Sequence, residues 1–251
     1  MKTGTVAVGF LDPGHWSHCF GQSLIDLYLC DAFGSKRMVP HGKQLRDNAQ
    51  AGGIVAGRNS IAAKFLDSTE CEWLFMVDSD MGFAPDTVDR LIASADPKTR
   101  PVVGGLCFSL RREKPGEFYG QKYVVVPTCF EYVDTDDEVG FRSILDYPRD
   151  ALFPVAGTGA ACMVIHRSAL ETLRARGGDH WFDQVTHPGG TEFSEDLSFC
   201  LRLAAADIAL HVDTSVRTTH DKHGVFLDEE EFDRCRALHA IPVPEGALAN
   251  G

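Results

Sequence analysis

The sequence predicts an α/β fold, a mostly parallel central sheet flanked by helices, on three observations. Short apolar runs alternate with segments of helical periodicity, the order of strand, helix, strand that marks a βαβ layer architecture. One run, Trp73-Leu74-Phe75-Met76-Val77, is unbroken, as a strand covered on both faces requires. The length, 251 residues with 44% hydrophobic and 24% charged side chains, suits one large domain with a sizeable core and argues against disorder.

The elements follow from local pattern. Thr5–Phe10 reads as a first strand, and Gln22–Phe33 as a helix carrying Leu24, Ile25, Leu27, Tyr28 and Leu29. Val55–Asp67 gathers Ile61, Ala62, Phe65 and Leu66 on one helical face. The Trp73–Val77 strand precedes a helix over Pro85–Ala95, with Val88, Leu91, Ile92 and Ala95 in register, and then an apolar strand over Pro101–Phe108. Lys122–Pro127 and Thr128–Val133 read as two strands of a hairpin or sheet extension, followed by an acidic surface loop, Asp134-Thr135-Asp136-Asp137-Glu138. Ala160–Ile165 is a buried strand, and Ser168-Ala169-Leu170-Glu171 matches a capping box opening a helix. A loop rich in Gly, His and aromatics spans Gly177–Glu192. A helix over Ser194–Ala206 has Leu197, Cys200, Leu201 and Ala204 on a stripe, and Ile208–Val212 is a short strand. The run Asp228-Glu229-Glu230-Glu231-Phe232-Asp233 reads as a solvated helix.

Composition narrows the function. Lys plus Arg number 24 against 36 Asp plus Glu, a formal charge of -12, which disfavours a whole-surface nucleic-acid binder and suits a site holding a cation. The eight cysteines form no C-x-x-C pair, and several sit in apolar runs, the pattern of buried thiols in a reducing cytosol. The first residues lack the apolar run of a signal peptide, and no uncharged stretch reaches membrane-span length. The expectation is a cytoplasmic protein.

Five groups of residues stand out. Asp78-Ser79-Asp80 follows the apolar strand directly, at the carboxyl end where open α/β sheets bind ligands. Its two carboxylates, two positions apart, share one side of an extended chain, and a divalent cation relieves their repulsion. A polar turn is the plainer alternative. Ser194-Glu195-Asp196 opens a helix: Ser194 is a natural N-cap and the acids suit the helix dipole, while a carboxylate held there can also serve as a general base. Thr219-His220-Asp221-Lys222-His223-Gly224 offers His220 or His223 as a metal ligand. Ala156-Gly157-Thr158-Gly159-Ala160 precedes a strand and is neither a P-loop nor a Rossmann fingerprint; it reads as a ligand-side approach or a tight turn. Arg58-Asn59, near a helix start, suits an anion, with an ordinary surface arginine as the competing reading.

Taken in order, these residues resemble a GT-A-fold (Rossmann-like) glycosyltransferase, similar to the large inverting, family 2-like sugar transferases in their short bacterial and phage forms. The resemblance spans roughly 5–224. It implies a GT-A domain over 1–224 and an acidic helix and tail over 225–251 packing on it. It also implies that Asp80, Asp78 and His220, with His223 as rival, hold manganese or magnesium. Asp12, Arg58, Asp78, Ser79 and Lys222 would contact a nucleotide-sugar donor, UDP-linked by expectation. Asp196 would be the general base with Glu195 beside it, and Gly157, Thr158, Gly159 and Trp181 would border the acceptor. The first strand runs into Leu11-Asp12-Pro13-Gly14-His15-Trp16 where the family has a Pro-x-Tyr-Asn turn, and the Q-x-x-R-W run of processive synthases is absent.

The acceptor stays open among glycan, protein, small molecule and modified phage DNA. A basic stretch over 98–122, with Lys98, Arg100, Arg111, Arg112, Lys114 and Lys122 against Glu113 and Glu117, suits either a polyanion or a solvated loop. The alternatives in other classes are a catalytically silent nucleotide- or glycan-binding module and a nucleotidyltransferase, whose Gly-rich signature Gly9–Trp16 does not match.

Overall fold

A computed structural model describes residues 4–38, 42–49, 52–112, 123–135, 139–222 and 224–239. Strand β1 (Val6–Leu11) is followed by helix α1 (His18–Phe33). The Ser17 hydroxyl caps that helix by accepting from the Phe20 amide at 3.1 Å, which starts it four residues before the predicted Gln22. Strand β2 (Lys43–Asp47), which the pattern did not announce, leads to α2 (Gly53–Ser68), β3 (Trp73–Val77), β4 (Met81–Phe83), α3 (Thr87–Ser94) and β5 (Val102–Leu106). Then come β6 (Phe108–Arg112), β7 (Tyr123–Pro127), β8 (Phe130–Asp134), β9 (Val139–Ser143), β10 (Leu152–Pro154) and β11 (Cys162–His166). The chain continues through α4 (Arg167–Gly177), α5 (Glu195–Ala205), β12 (Leu210–Lys222), β13 (Val225–Leu227) and α6 (Glu229–His239).

The main sheet runs β10-β12-β5-β11-β3-β1-β2. Strands β1, β2, β3, β5 and β12 point one way, and β11 and β10 run against them. Strand β3 shows why the apolar run had to be unbroken. Leu74 and Met76 join Ile61, Phe65, Leu170, Phe199 and Leu203 from α2, α4 and α5 on one face. Trp73, Phe75 and Val77 join Phe20, Leu24, Leu27, Val88 and Leu91 from α1 and α3 on the other. At 25 cal/mol per Å² or so, such two-sided burial is the main stabilising term of the layer.

Several expectations need correction. The predicted Pro101–Phe108 strand breaks at Cys107 into β5 and β6. The expected hairpin between 122–127 and 128–133 does not form: β7 pairs with β6, and β8 pairs with β9. The α4 cap is His166, whose Nδ1 accepts from the Ser168 amide at 3.3 Å; Ser168 is already inside the helix. Ser194 stands at the α5 N-cap without a side-chain cap bond. The buried stripe of α5 is Phe199, Cys200 and Leu203, one step round from the expected Leu201 and Ala204. Strand β12 is far longer than the predicted Ile208–Val212. Helix α6 is not simply solvated, because Phe232 and Cys235 are buried against Phe108 and Tyr147. All eight cysteines are free. Among the described residues, no helix is long and apolar enough to cross a membrane.

Candidate functional site

A cleft of about 540 Å³ opens at the carboxyl ends of β1 and β3. Its lining combines apolar and aromatic Leu11, Pro13, Trp16, Ala49 and Ile54 with polar Arg58, Asp78, Ser79, Asp80, Asp221 and Lys222. Its position follows from the strands: the chain leaves β3 into the Asp78-Ser79-Asp80 turn, closed by the Met81 amide donating to the Asp78 carbonyl at 3.1 Å. The Ser17 amide donates to the Ser79 carbonyl, and the Asp221 amide to the Asp80 carbonyl. These bonds tie the β1 loop and β12 to the same turn.

The length of β12 decides the histidine. Strand β12 pairs with β4, opposing His220 to Met81, so His220 stands on a strand beside Asp80 and not in a loop. Its Nε2 lies 3.1 Å from Asp80 Oδ2, and its Nδ1 lies 2.9 Å from the Phe108 carbonyl. The carbonyl only accepts, so the Nδ1 nitrogen carries the hydrogen. Nε2 and the carboxylate are then complementary only with a proton or a cation between them. Lys222, two positions on and therefore on the same face, donates to the same oxygen at 2.9 Å. Burial alone would raise the Asp80 carboxyl, but His220 and then Lys222 overcome it and bring it down to about 2. His223 lies outside the described residues.

Arg58 organises the opposite wall. It is only 3% exposed. Its guanidinium lies 3.0 Å from Asp78, 3.5 Å from Glu195 and in direct contact with Asp196 Oδ1, and it stands 5.8 Å from the Phe182 ring centroid. The expected anion holder is thus a clamp on three carboxylates. It joins the turn after β3 to the head of α5, whose acids sequence reasoning had placed apart from it. Asp196 Oδ2 faces the Gly157–Gly159 segment: a Cβ on Gly159 would stand 3.7 Å from it. At Gly157 a Cβ would come within 2.7 Å of the Phe141 ring and 3.0 Å of Leu197, so only glycine fits there. Thr158 is buried at 1%.

Two expected residues, Asp12 and Trp181, are absent from the cleft lining, and a third is held differently from the expectation. Asp12 accepts from the Gly14 amide and pairs with Arg46, which holds its carboxyl below the usual range; it does not line the cleft. Trp181 is a core residue, 1% exposed, with its indole donating to the Leu170 carbonyl, and it is not among the residues lining this cleft. Asp78 is held by Arg58 and does not join Asp80 and His220. Among the described residues, no three His, Cys, Asp or Glu side chains are gathered as a metal cluster. Sequence reasoning missed Trp16 and Ile54, both exposed on the cleft wall, at 40% and 51%. A tryptophan just past the first strand was the available signal for Trp16. In the basic stretch, Arg100 donates to the Ser94 carbonyl, and 113–122 lie outside the described residues.

The donor set nonetheless fits a divalent cation. Asp80 and His220 present an oxygen and a nitrogen 3.1 Å apart, close to the roughly 3.0 Å between adjacent ligands at about 2.1 Å from an octahedral metal. Five carboxylates (Asp78, Asp80, Asp221, Glu195, Asp196) stand in or beside the cleft against two fixed cations (Arg58, Lys222). Three positive charges are wanting when His220 is neutral, and phosphate oxygens and water complete such a shell in substrate-bound sites.

No protein-family model and no curated protein matches this sequence. Solved structures do. The crystal structure of A197 from STIV aligns at TM-score 0.51 and 14% identity, covering 90% of this chain and 91% of that one. GalNAc-T7, crystallised with UDP, GalNAc and Mn2+, aligns at TM-score 0.54 and 12% identity, covering 88% of this chain and 45% of its own. The chain therefore spans less than half of the second protein. At these identities the likeness is one of fold: a GT-A-like α/β domain with a central, mostly parallel sheet flanked by helices.

Proposed function

We propose that the chain is a glycosyltransferase that moves a sugar from a nucleotide-sugar donor, UDP-linked, to an acceptor hydroxyl. The observation that carries this reading is the mixed lining of the cleft. Its apolar and aromatic residues suit a base stacked on Trp16, and its charged residues suit a diphosphate. Lys222 would donate to the diphosphate, and Asp80 and His220 would hold manganese or magnesium. A bound divalent cation supplies positive charge against the leaving diphosphate. Arg58 fixes Asp196 by one oxygen, which orients the other toward Gly159 as the general base for the incoming hydroxyl, with Glu195 alongside. Attack from that wall, opposite the diphosphate, would invert the anomeric centre.

A melting panel of nucleoside diphosphates and UDP-sugars, with and without manganese, tests the donor. The expected result is stabilisation by UDP that depends on the metal and is lost in His220→Ala. Absence of any nucleotide-dependent shift would sink the reading. One observation favours a silent nucleotide-binding module instead: the Arg58 guanidinium already neutralises Asp196. UDP-sugar hydrolysis separates the two, since an enzyme loses turnover in Asp196→Asn while a binding module shows none in either form.

A further inference from the structure

Resting on the transferase reading, we propose that the acceptor is a neutral sugar ring, seated with its C–H face on Tyr132 and Phe141. These two are a cross-strand pair in the β8–β9 hairpin, so both project from one face of it. Their ring centroids are 5.2 Å apart at 68°. Phe141 is pinned from below by Gly157 and by Phe193, 5.7 Å away and near edge-on at 88°. Tyr132 stands beside it, 37% exposed. Its ring packs edge-on against Phe141 and lies 6.3 Å from Phe193, and its exposed part offers a surface to which a pyranose can present an apolar face of axial C–H bonds.

The platform stands on the acceptor side. Gly157, under Phe141, is two residues from Gly159, which faces Asp196 Oδ2; Phe193 is three residues before Asp196. A hollow of about 440 Å³ opens against Tyr132 and Phe141, walled by Pro154, Ala156 and Leu201, large enough for a sugar ring. On the platform's own face of β8, Asp134 stands two positions from Tyr132, with His187 Nε2 3.9 Å from its carboxylate; both are hydroxyl partners. The charge argues for a neutral ligand. Asp134 is the acid on the platform's own face of β8, while Glu131 alternates to the other face and is paired with Arg142 at 2.8 Å. A polyanion such as DNA would meet the Asp134 carboxylate on this face.

The test uses the full chain with methyl glycosides of glucose, galactose and N-acetylgalactosamine as probes, read by saturation-transfer NMR. A duplex carrying hydroxymethylcytosine is the competing probe. Wild type is expected to saturate the ring C–H protons of at least one glycoside. Tyr132→Ala should weaken that signal about fivefold or more, and Tyr132→Trp should restore it. Tyr132 packs on Phe141 and Phe193, so Tyr132→Ala should lower Tm modestly while both variants keep a cooperative melt, and recovery of the signal in Tyr132→Trp removes misfolding as an explanation. Equal glycoside signals in wild type and Y132A, or preferential binding of the duplex, overturn the proposal. Glycoside binding that depends on Tyr132 in a protein that never binds UDP supports the platform and overturns the transferase reading alone.

Discussion

Replacing Arg58 by methionine keeps the bulk of the side chain and deletes the charge that three carboxylates share. The guanidinium is buried, at 3% exposure, and Asp78, Glu195 and Asp196 retain only 27%, 19% and 22% of their side-chain surface. Removing one partner of a buried pair typically costs about 3–5 kcal/mol, because the other is left uncompensated. The partners here keep some contact with water, so the low end, about 3 kcal/mol, is expected. For a domain of this size each kcal/mol moves Tm by about 2–4 °C, and R58M should melt about 6–12 °C below wild type by calorimetry. Most of that cost is an orphaned charge and not lost packing. R58M/D196N should therefore recover at least about 1 kcal/mol relative to R58M, a coupling that a double-mutant cycle isolates. Arg58→Lys keeps the charge but not the fork and should fall between. A loss under about 1 kcal/mol in R58M, or strictly additive double-mutant energies, would refute the idea that Arg58 holds the two walls together.

Gly157→Ala forces a Cβ to 2.7 Å from the Phe141 ring and should cost about 1–3 kcal/mol by overpacking. Gly159→Ala, whose nearest neighbour would stand at 3.7 Å, should change urea stability far less, and equal costs at the two sites would contradict the packing argument. Asp80 titrates at about 2 in the folded chain, below its unfolded value near 3.9. Its contribution to stability is therefore fully present above about pH 4 and is lost as pH falls through about 2. Carbon-13 NMR of labelled aspartate in metal-free protein should show that low midpoint, and a midpoint at or above 4 would remove His220 and Lys222 as its partners. Trp16→Ala removes edge-on contacts to Phe10 and Phe20 at 5.6 Å and should cost about 1–2 kcal/mol of stability while weakening UDP binding about tenfold, the scale of one lost base stack; unchanged affinity by calorimetric titration would move the base elsewhere.

What could be read from the chain alone was whatever depends on near neighbours. The unbroken run Trp73–Val77 announced a doubly covered strand, and Ile61, Ala62 and Phe65 announced the inner face of α2, because side-chain direction repeats every two or 3.6 residues. The position of Asp78-Ser79-Asp80 at a sheet's ligand-binding edge follows from the same run. Local chemistry misled where a second segment made the choice: Trp181 looked like a loop aromatic until α4 supplied a carbonyl for its indole, and the hairpin partner of β8 turned out to lie after it and not before. Trp16 and Tyr132 carry no periodic signal, because their importance is that they remain exposed.

The sequence by itself determined the layers, the strand that ends in the acidic turn, and the type of side chain available there. Only the tertiary structure decided who pairs with whom. Asp80 meets His220 across 140 positions and Lys222 across 142, and Arg58 reaches Asp78 and, far along the chain, Asp196. Charges act through distances of a few ångströms in a poorly screened cleft. The distances that matter are set by how β3, β12, α2 and α5 pack on one another, and no local pattern in the chain encodes them.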